Sequence, residues 1–252
     1  MHARVSVQDL PTDSPTVVLV HGLGVSSRYM IPTALELAPY CSVYAPDLPG
    51  FGKSAHPPNV LDVPQMAEAL KSWMDAVGLA SAAFIGNSMG CQVIVDLAFR
   101  YPERVRSAVL IGPTFDRKAR ASIWSLLLRV ARDGRWEPKS LSPIIVYDYL
   151  SAGLIRVIIT LRLGLLDRFE EKLPHVAIPT IVMRGQHDAV VPLDWARYVA
   201  RALPRARLVV IKGASHALNF SAPAKLVREV LPFLRNTSSE NRNQESRGRS
   251  RE

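Results

Sequence analysis

Apolar positions along the chain alternate between two periods. Short unbroken apolar runs such as Val17-Val18-Leu19-Val20 have the pattern of strands buried on both faces. Between them lie stretches with an apolar residue every third or fourth position. Met66, Ala69, Leu70, Trp73, Met74 and Val77 place one apolar stripe on a helix over 64–77. Further strands are predicted over 42–45, 82–85, 105–111, 178–183 and 207–211, and further helices over 91–101, 193–202 and 224–234. Strands that alternate with helices in this way form a mostly parallel sheet with crossover helices, an α/β architecture.

The rhythm breaks at 114–173, which holds helical patterns over 122–131 and 142–166 and no strand. Its place between two core strands predicts a helical cap inserted over the sheet. The other reading is one long crossover made of several helices. The chain then divides into a core over 1–113, a helical insertion over 114–173, the rest of the core over 174–235, and a tail over 236–252. The tail has no apolar residue, cannot bury enough surface to offset its ordering entropy, and is expected to be disordered.

Length and composition narrow the class. The 252 residues, 48% of them hydrophobic, suit one large domain with an ample core. No apolar run reaches membrane-spanning length, since the longest candidate, 154–166, contains Arg156 and Arg162. The first thirteen residues lack a signal-peptide layout, and Cys41 and Cys91 suggest no disulfide framework. A cytoplasmic protein without a membrane partner is expected. The net charge of +9 is scattered rather than gathered into a basic block with aromatics, so no nucleic-acid partner is expected. The sequence carries no signal for an oligomeric state.

The chemistry concentrates at strand ends. Gly86-Asn87-Ser88-Met89-Gly90 joins a strand to a helix, and a serine flanked by small residues at that junction reads as a nucleophile elbow. A serine hydroxyl needs a base within reach and a group that orients the base. Open α/β sheets bring such groups together at the carboxyl ends of their strands. The strand over 178–183 leads to Asp188, and the strand over 207–211 leads to His216. Ser, Asp, His is the chain order this arrangement requires. Asp116 is a second, weaker candidate for the acid, and Asn87 is a possible substrate contact. In His21-Gly22-Leu23-Gly24, glycines let the backbone pass close under a carbonyl. The N–H groups of Leu23 and Met89 are the candidate oxyanion hole. The glycine-rich run matches neither dinucleotide nor nucleoside-triphosphate loops, and the histidines lack metal-ligand spacing. No metal and no cofactor are expected, and His187 is read as structural.

Five segments together resemble the α/β-hydrolase family over residues 15–235. They are His21 to Gly24, Ala45-Pro46-Asp47-Leu48-Pro49-Gly50-Phe51-Gly52-Lys53-Ser54, Gly86 to Gly90, Gly185-Gln186-His187-Asp188-Ala189-Val190-Val191-Pro192, and Gly213-Ala214-Ser215-His216. The resemblance implies a serine hydrolase of a small, largely apolar acyl compound, most simply a carboxylic ester, with Asp47 a turn residue. The Gly-Asn-Ser-Met-Gly run is also similar to the branch that hydrolyses carbon–carbon bonds in ring-cleavage products. The chain departs from that branch at the short His21 to Gly24 loop and at Ala217, where tryptophan is usual. Members that use an aspartate nucleophile resemble it less. A third expectation is a ligand-binding member of the fold without catalysis.

Overall fold

The computed structural model of the chain describes residues 1–11, 13–116, 119 and 121–249. Seven strands form one sheet: β1 (Ala3–Val5), β2 (Thr16–Val20), β3 (Ser42–Pro46), β4 (Ala82–Asn87), β5 (Val105–Ile111), β6 (Thr180–Gly185) and β7 (Ala206–Ile211). Their order is β1-β3-β2-β4-β5-β6-β7. β1 pairs antiparallel with β3, and the other pairs are parallel. The sheet is the mostly parallel one that the sequence predicts.

Both faces of the sheet are covered, which explains the unbroken apolar runs. Val18 and Val20 point into one core, while Val17 and Leu19 point into the other. The first core packs on α2 (Val63–Ala76), α3 (Met89–Arg100) and α7 (Leu193–Ala202). The second packs on α1 (Ile31–Leu37), α8 (Leu218–Ser221) and α9 (Pro223–Arg249), through residues such as Leu37, Leu218, Leu226 and Val230. α2 starts at a capping box, with Asp62 accepting from the Gln65 N–H at 2.8 Å and the Gln65 side chain accepting from the Asp62 N–H at 3.0 Å.

Several boundaries differ from expectation. β1 adds an edge strand of three residues, too short to show a period in sequence. β6 begins at Thr180 rather than 178, because Pro179 has no N–H to give a sheet. The pattern over 142–166 is two helices, α5 (Ser142–Ala152) and α6 (Leu154–Leu166), broken at Gly153 with φ +84°. Only a glycine takes that turn without strain. Before them lies α4 (Ile123–Asp133).

The segment expected to be a disordered tail continues a helix of the core. α9 carries helix as far as Arg249. Thr237 and Ser238 are buried, both hydroxyls donate to the Leu234 carbonyl, and Thr237 meets Ser107 of β5 at 3.1 Å. The small hydroxyl residues that made the segment look unstructured fit where it leaves the sheet. Residues 250–252 of that expectation lie outside the described residues.

Candidate active site

β4 ends at Asn87 and α3 starts at Met89, so the whole turn is made at Ser88. Its backbone sits at φ 57°, ψ −122°. It is the one non-glycine residue at positive φ among the described residues. Such strain persists only where surrounding structure enforces it. Gly90 packs so tightly that a β-carbon there would lie 2.5 Å from the Val20 carbonyl oxygen and 2.7 Å from that of His21. The glycine loop passes alongside the serine, where a β-carbon on Gly22 would stand 3.2 Å from Ser88 Cβ. Ser88 itself is half-buried. Leu23 follows Gly22 in the turn and Met89 opens α3, so both candidate oxyanion N–H groups belong to segments that border the serine.

His216 and Asp188 meet as a pair, with His216 Nδ1 3.0 Å from Asp188 Oδ2. Asp188 is buried, and its Oδ1 accepts from the Val191 N–H at 2.8 Å. The acid loop is held by Arg184, which donates to the carbonyls of Asp188 (2.6 Å), Gly185 (2.8 Å) and Val191 (2.8 Å). The imidazole lies against Gly112, where a β-carbon would come within 2.8 Å of Nδ1. Gly112 directly follows Ile111, whose carbonyl accepts the Ser88 N–H at 2.8 Å. Ser88 and His216, the candidate nucleophile and base, therefore stand over the adjacent ends of β4 and β5. With Nδ1 engaged by the carboxylate, Nε2 is the nitrogen left for proton transfer.

Two acids that no motif singled out surround His216. Asp133, at the end of α4, is buried; it accepts from the Ala189 N–H at 2.9 Å and from the His216 N–H at 3.3 Å. Glu137 accepts from the Ala217 N–H at 2.7 Å. Trp136, between them, stacks on His187 with ring centroids 3.9 Å apart. Burial first, then the neighbouring Asp133, pushes Glu137 up to about 7. Burial also raises Asp133. For His216, burial works against the charged form. The charge and hydrogen bond of Asp188 outweigh it, with help from Asp133 and Glu137, and the imidazole is raised to about 9. Nothing in the sequence around 133–137 marks this role.

Other expected residues fall into place differently. Asn87, a possible substrate contact, is buried and engaged by protein groups. Its Nδ2 donates to the His216 carbonyl at 3.1 Å, and its Oδ1 accepts from Tyr29 Oη at 3.1 Å. Asp116, the second candidate acid, accepts from Arg129 at 2.7 Å. His21 is buried and uses both ring nitrogens, accepting from the Leu48 N–H and donating to the Gly22 carbonyl, each at 2.9 Å. Burial lowers its pKa, so the ring is neutral. Asp47 accepts from the N–H groups of Ser27 (2.7 Å) and Lys53 (2.9 Å), as a turn residue does.

The helical segment between β5 and β6 touches the elbow and the glycine loop. Gly164 accepts from Gln92 of α3 at 3.0 Å, Asp148 accepts from Ser26 at 2.7 Å, and the Tyr149 ring lies against Gly24. Among the described residues no group of His, Cys, Asp or Glu is placed to hold a metal ion. A separate cleft of about 360 Å³, lined by Pro11, Tyr40 and Arg235 among others, lies by the amino ends of the strands, away from this chemistry.

Comparison with known proteins identifies the family. A family model described as the alpha/beta hydrolase family matches residues 17–229. RutD of Pseudomonas savastanoi pv. phaseolicola, whose name assigns it provisionally to carbamate hydrolysis, is 29% identical and covers 88% of this chain and 94% of its own. The 2-hydroxy-6-oxononadienedioate/2-hydroxy-6-oxononatrienedioate hydrolase of Burkholderia vietnamiensis is 28% identical, over 92% and 91%. Among solved structures, a thermophilic esterase from Thermogutta terrifontis superposes with a TM-score of 0.78 at 26% identity, over 94% of this chain and 93% of that one.

Proposed function

Since the chain is a hydrolase that belongs to the alpha/beta hydrolase family, we propose that it cleaves small, largely apolar acyl compounds, most simply carboxylic esters, with Ser88 as nucleophile. His216 takes the serine proton as Ser88 attacks the carbonyl, and Asp188 holds the imidazole in its working tautomer. The N–H groups of Leu23 and Met89 receive the tetrahedral oxyanion. His216 returns the proton to the leaving alkoxide, then activates the water that releases the acyl group. The segment over 114–173 acts as a cap that shapes the acyl pocket. The observation that carries this reading is the strained Ser88 turn beside a His216–Asp188 pair at 3.0 Å. The structural likeness to an esterase supports the ester as substrate.

The test is Ser88→Ala, which should lower turnover on an aryl ester by roughly a millionfold and abolish labelling by a fluorophosphonate. A variant that retains near-normal esterase activity would sink the assignment. The relative from Burkholderia vietnamiensis supports a second reading, hydrolysis of a carbon–carbon bond in a ring-cleavage dienoate by the same residues. Strong preference for a dienoate over an aryl ester would favour it.

A further inference from the structure

Among the described residues, α4, α5 and α6 between β5 and β6 all carry apolar residues on their outward faces. In α4, Trp124, Leu127, Leu128 and Ala131 recur at helical spacing and all face solvent, Trp124 being 74% exposed. The polar Arg129 and Asp133 of the same helix turn inward to Asp116 and to the Ala189 N–H. In α5 the outward stripe is Val146, Tyr147 and Leu150, and in α6 it includes Ile155, 76% exposed, with Ile158 and Leu166. A helix on a water-facing surface has the opposite arrangement. Apolar outward faces on three consecutive described helices exceed the scattered apolar exposure that any surface carries, even though α5 and α6 also bury apolar residues such as Ala152, Val157 and Leu165 inward.

The charges of this segment are sorted as well. Residues 121–166 contain three acids, Asp133, Glu137 and Asp148. All three are directed at protein groups: the Ala189, Ala217 and Ser26 donors already described. The exposed charges are Arg132, Arg135, Lys139 and Arg162, all cationic. Within the segment itself, an apolar face whose exposed charges are all cationic is complementary to an anionic lipid surface. A second copy of the same face would set cation against cation. Exposed Trp124, Trp136 and Tyr147 suit the boundary between headgroups and acyl chains. No single helix among the described residues is long and apolar enough to cross a membrane. α5 and α6 with their flanking turns reach that length and hydropathy only as a pair bent by 94°.

We propose that the outer face of residues 121–166 docks on anionic bilayers, with α4, α5 and α6 lying in the interface. This departs from the expectation of no membrane partner, which rested on the lack of a spanning segment. Docking would set the segment that covers Ser88 against the lipid and favour acyl compounds dissolved there. That consequence rests on the serine-hydrolase reading, whereas docking itself does not.

The experiment is flotation of the full chain, made inert by Ser88→Ala, with vesicles of phosphatidylcholine alone or mixed with phosphatidylglycerol, at low and high salt. The chain should float with the anionic vesicles and be released by salt. Ile155→Glu/Ile158→Glu should abolish binding. Arg132→Gln/Arg135→Gln/Lys139→Gln/Arg162→Gln should weaken it roughly fivefold for each cation removed. In the active chain both sets should leave hydrolysis of a soluble aryl ester unchanged. Circular dichroism checks folding; if either set fails to fold, the lipid and salt dependence of the Ser88→Ala chain decides. Absence of binding to anionic vesicles, or equal binding to neutral ones, overturns the proposal. So does a dimer in sedimentation equilibrium that Ile155→Glu/Ile158→Glu dissolves, since a second copy would then cover the face. An active-site serine that proves silent on every ester leaves vesicle binding as a separate result.

Discussion

Asn87 Nδ2 donates to the backbone carbonyl of His216 at 3.1 Å, so the residue before the candidate nucleophile holds the residue that would activate it. Tyr29 fixes the other end of the amide. Asn87→Ala should therefore lower kcat on an aryl ester by about ten- to a hundredfold, the range expected when a base is misplaced by up to an ångström, with little change in KM. The buried groups left without partners should cost about 1–3 kcal/mol of stability in urea denaturation. A raised KM at unchanged kcat would restore Asn87 as a substrate contact.

The raised pKa of His216 sets the pH profile. The base must be neutral to accept a proton, so kcat/KM should climb with pH through about 9. Glu137 is charged in that range, since its own value is about 7. Glu137→Gln removes one of the charges that hold the imidazolium and should move the rising limb to lower pH. A limb that stays in place would show that Glu137 does not act on the base electrically.

Linkage gives the matching stability prediction. His216 is raised above its ordinary 6.5, so its contribution is full below that value and is lost as pH rises through about 9. Glu137 is a carboxyl raised above its ordinary 4.5. The folded state keeps its proton, and the stability associated with it falls as pH rises from 4.5 to about 7. Both effects run the same way. Tm should fall between pH 5 and 9, and Glu137→Gln should flatten the decline.

Gly112→Ala tests the placement of the imidazole. Its β-carbon would meet the His216 ring at 2.8 Å, so the ring must move. Turnover should fall by about a hundredfold or more, measured beside a melt showing that the fold persists. An alanine variant with full activity would mean that the base works from another position.

Lys172 reaches both Asp96 of α3 and Asp167 beyond α6, and thus ties the insertion to the elbow helix. Lys172→Met leaves the buried Asp96 with only Arg100. It should cost about 3 kcal/mol, the lower end for a broken buried pair because Lys172 is partly open to water. Chemical denaturation measures it, and a loss below about 1 kcal/mol would show that the pair contributes little.

The six longer strands and the loops carrying Ser88, Asp188 and His216 were legible because each rests on a local pattern: a largely apolar run for the strand, and small or polar punctuation at its carboxyl end. What surrounds them was not. Asp133 and Glu137 sit in a helical stretch whose periodicity describes only the helix. Their role depends on how that stretch folds back on loops at 189 and 216–217, about 50 to 80 positions away in the sequence. Asn87 was only half legible, for the opposite reason. Its neighbours in the turn suggested chemistry, whereas its side chain is decided by the packing of Tyr29 and the base loop. The outward stripes of α4 and α6 show the limit of periodicity, which finds an apolar face without telling which way it points.

Asp133 and Glu137 also bear on how such a protein could be re-engineered. If the segment over 114–173 shapes the substrate pocket as proposed, it is also the one whose acids hold the backbone N–H groups of His216 and Ala217, so specificity and reactivity would not be separable modules in this chain. A chimera that replaced the stretch between Gly112 and Leu173 would arrive without either carboxyl. Its base loop would be slack whatever pocket it brought, unless both acids were rebuilt at the matching depth.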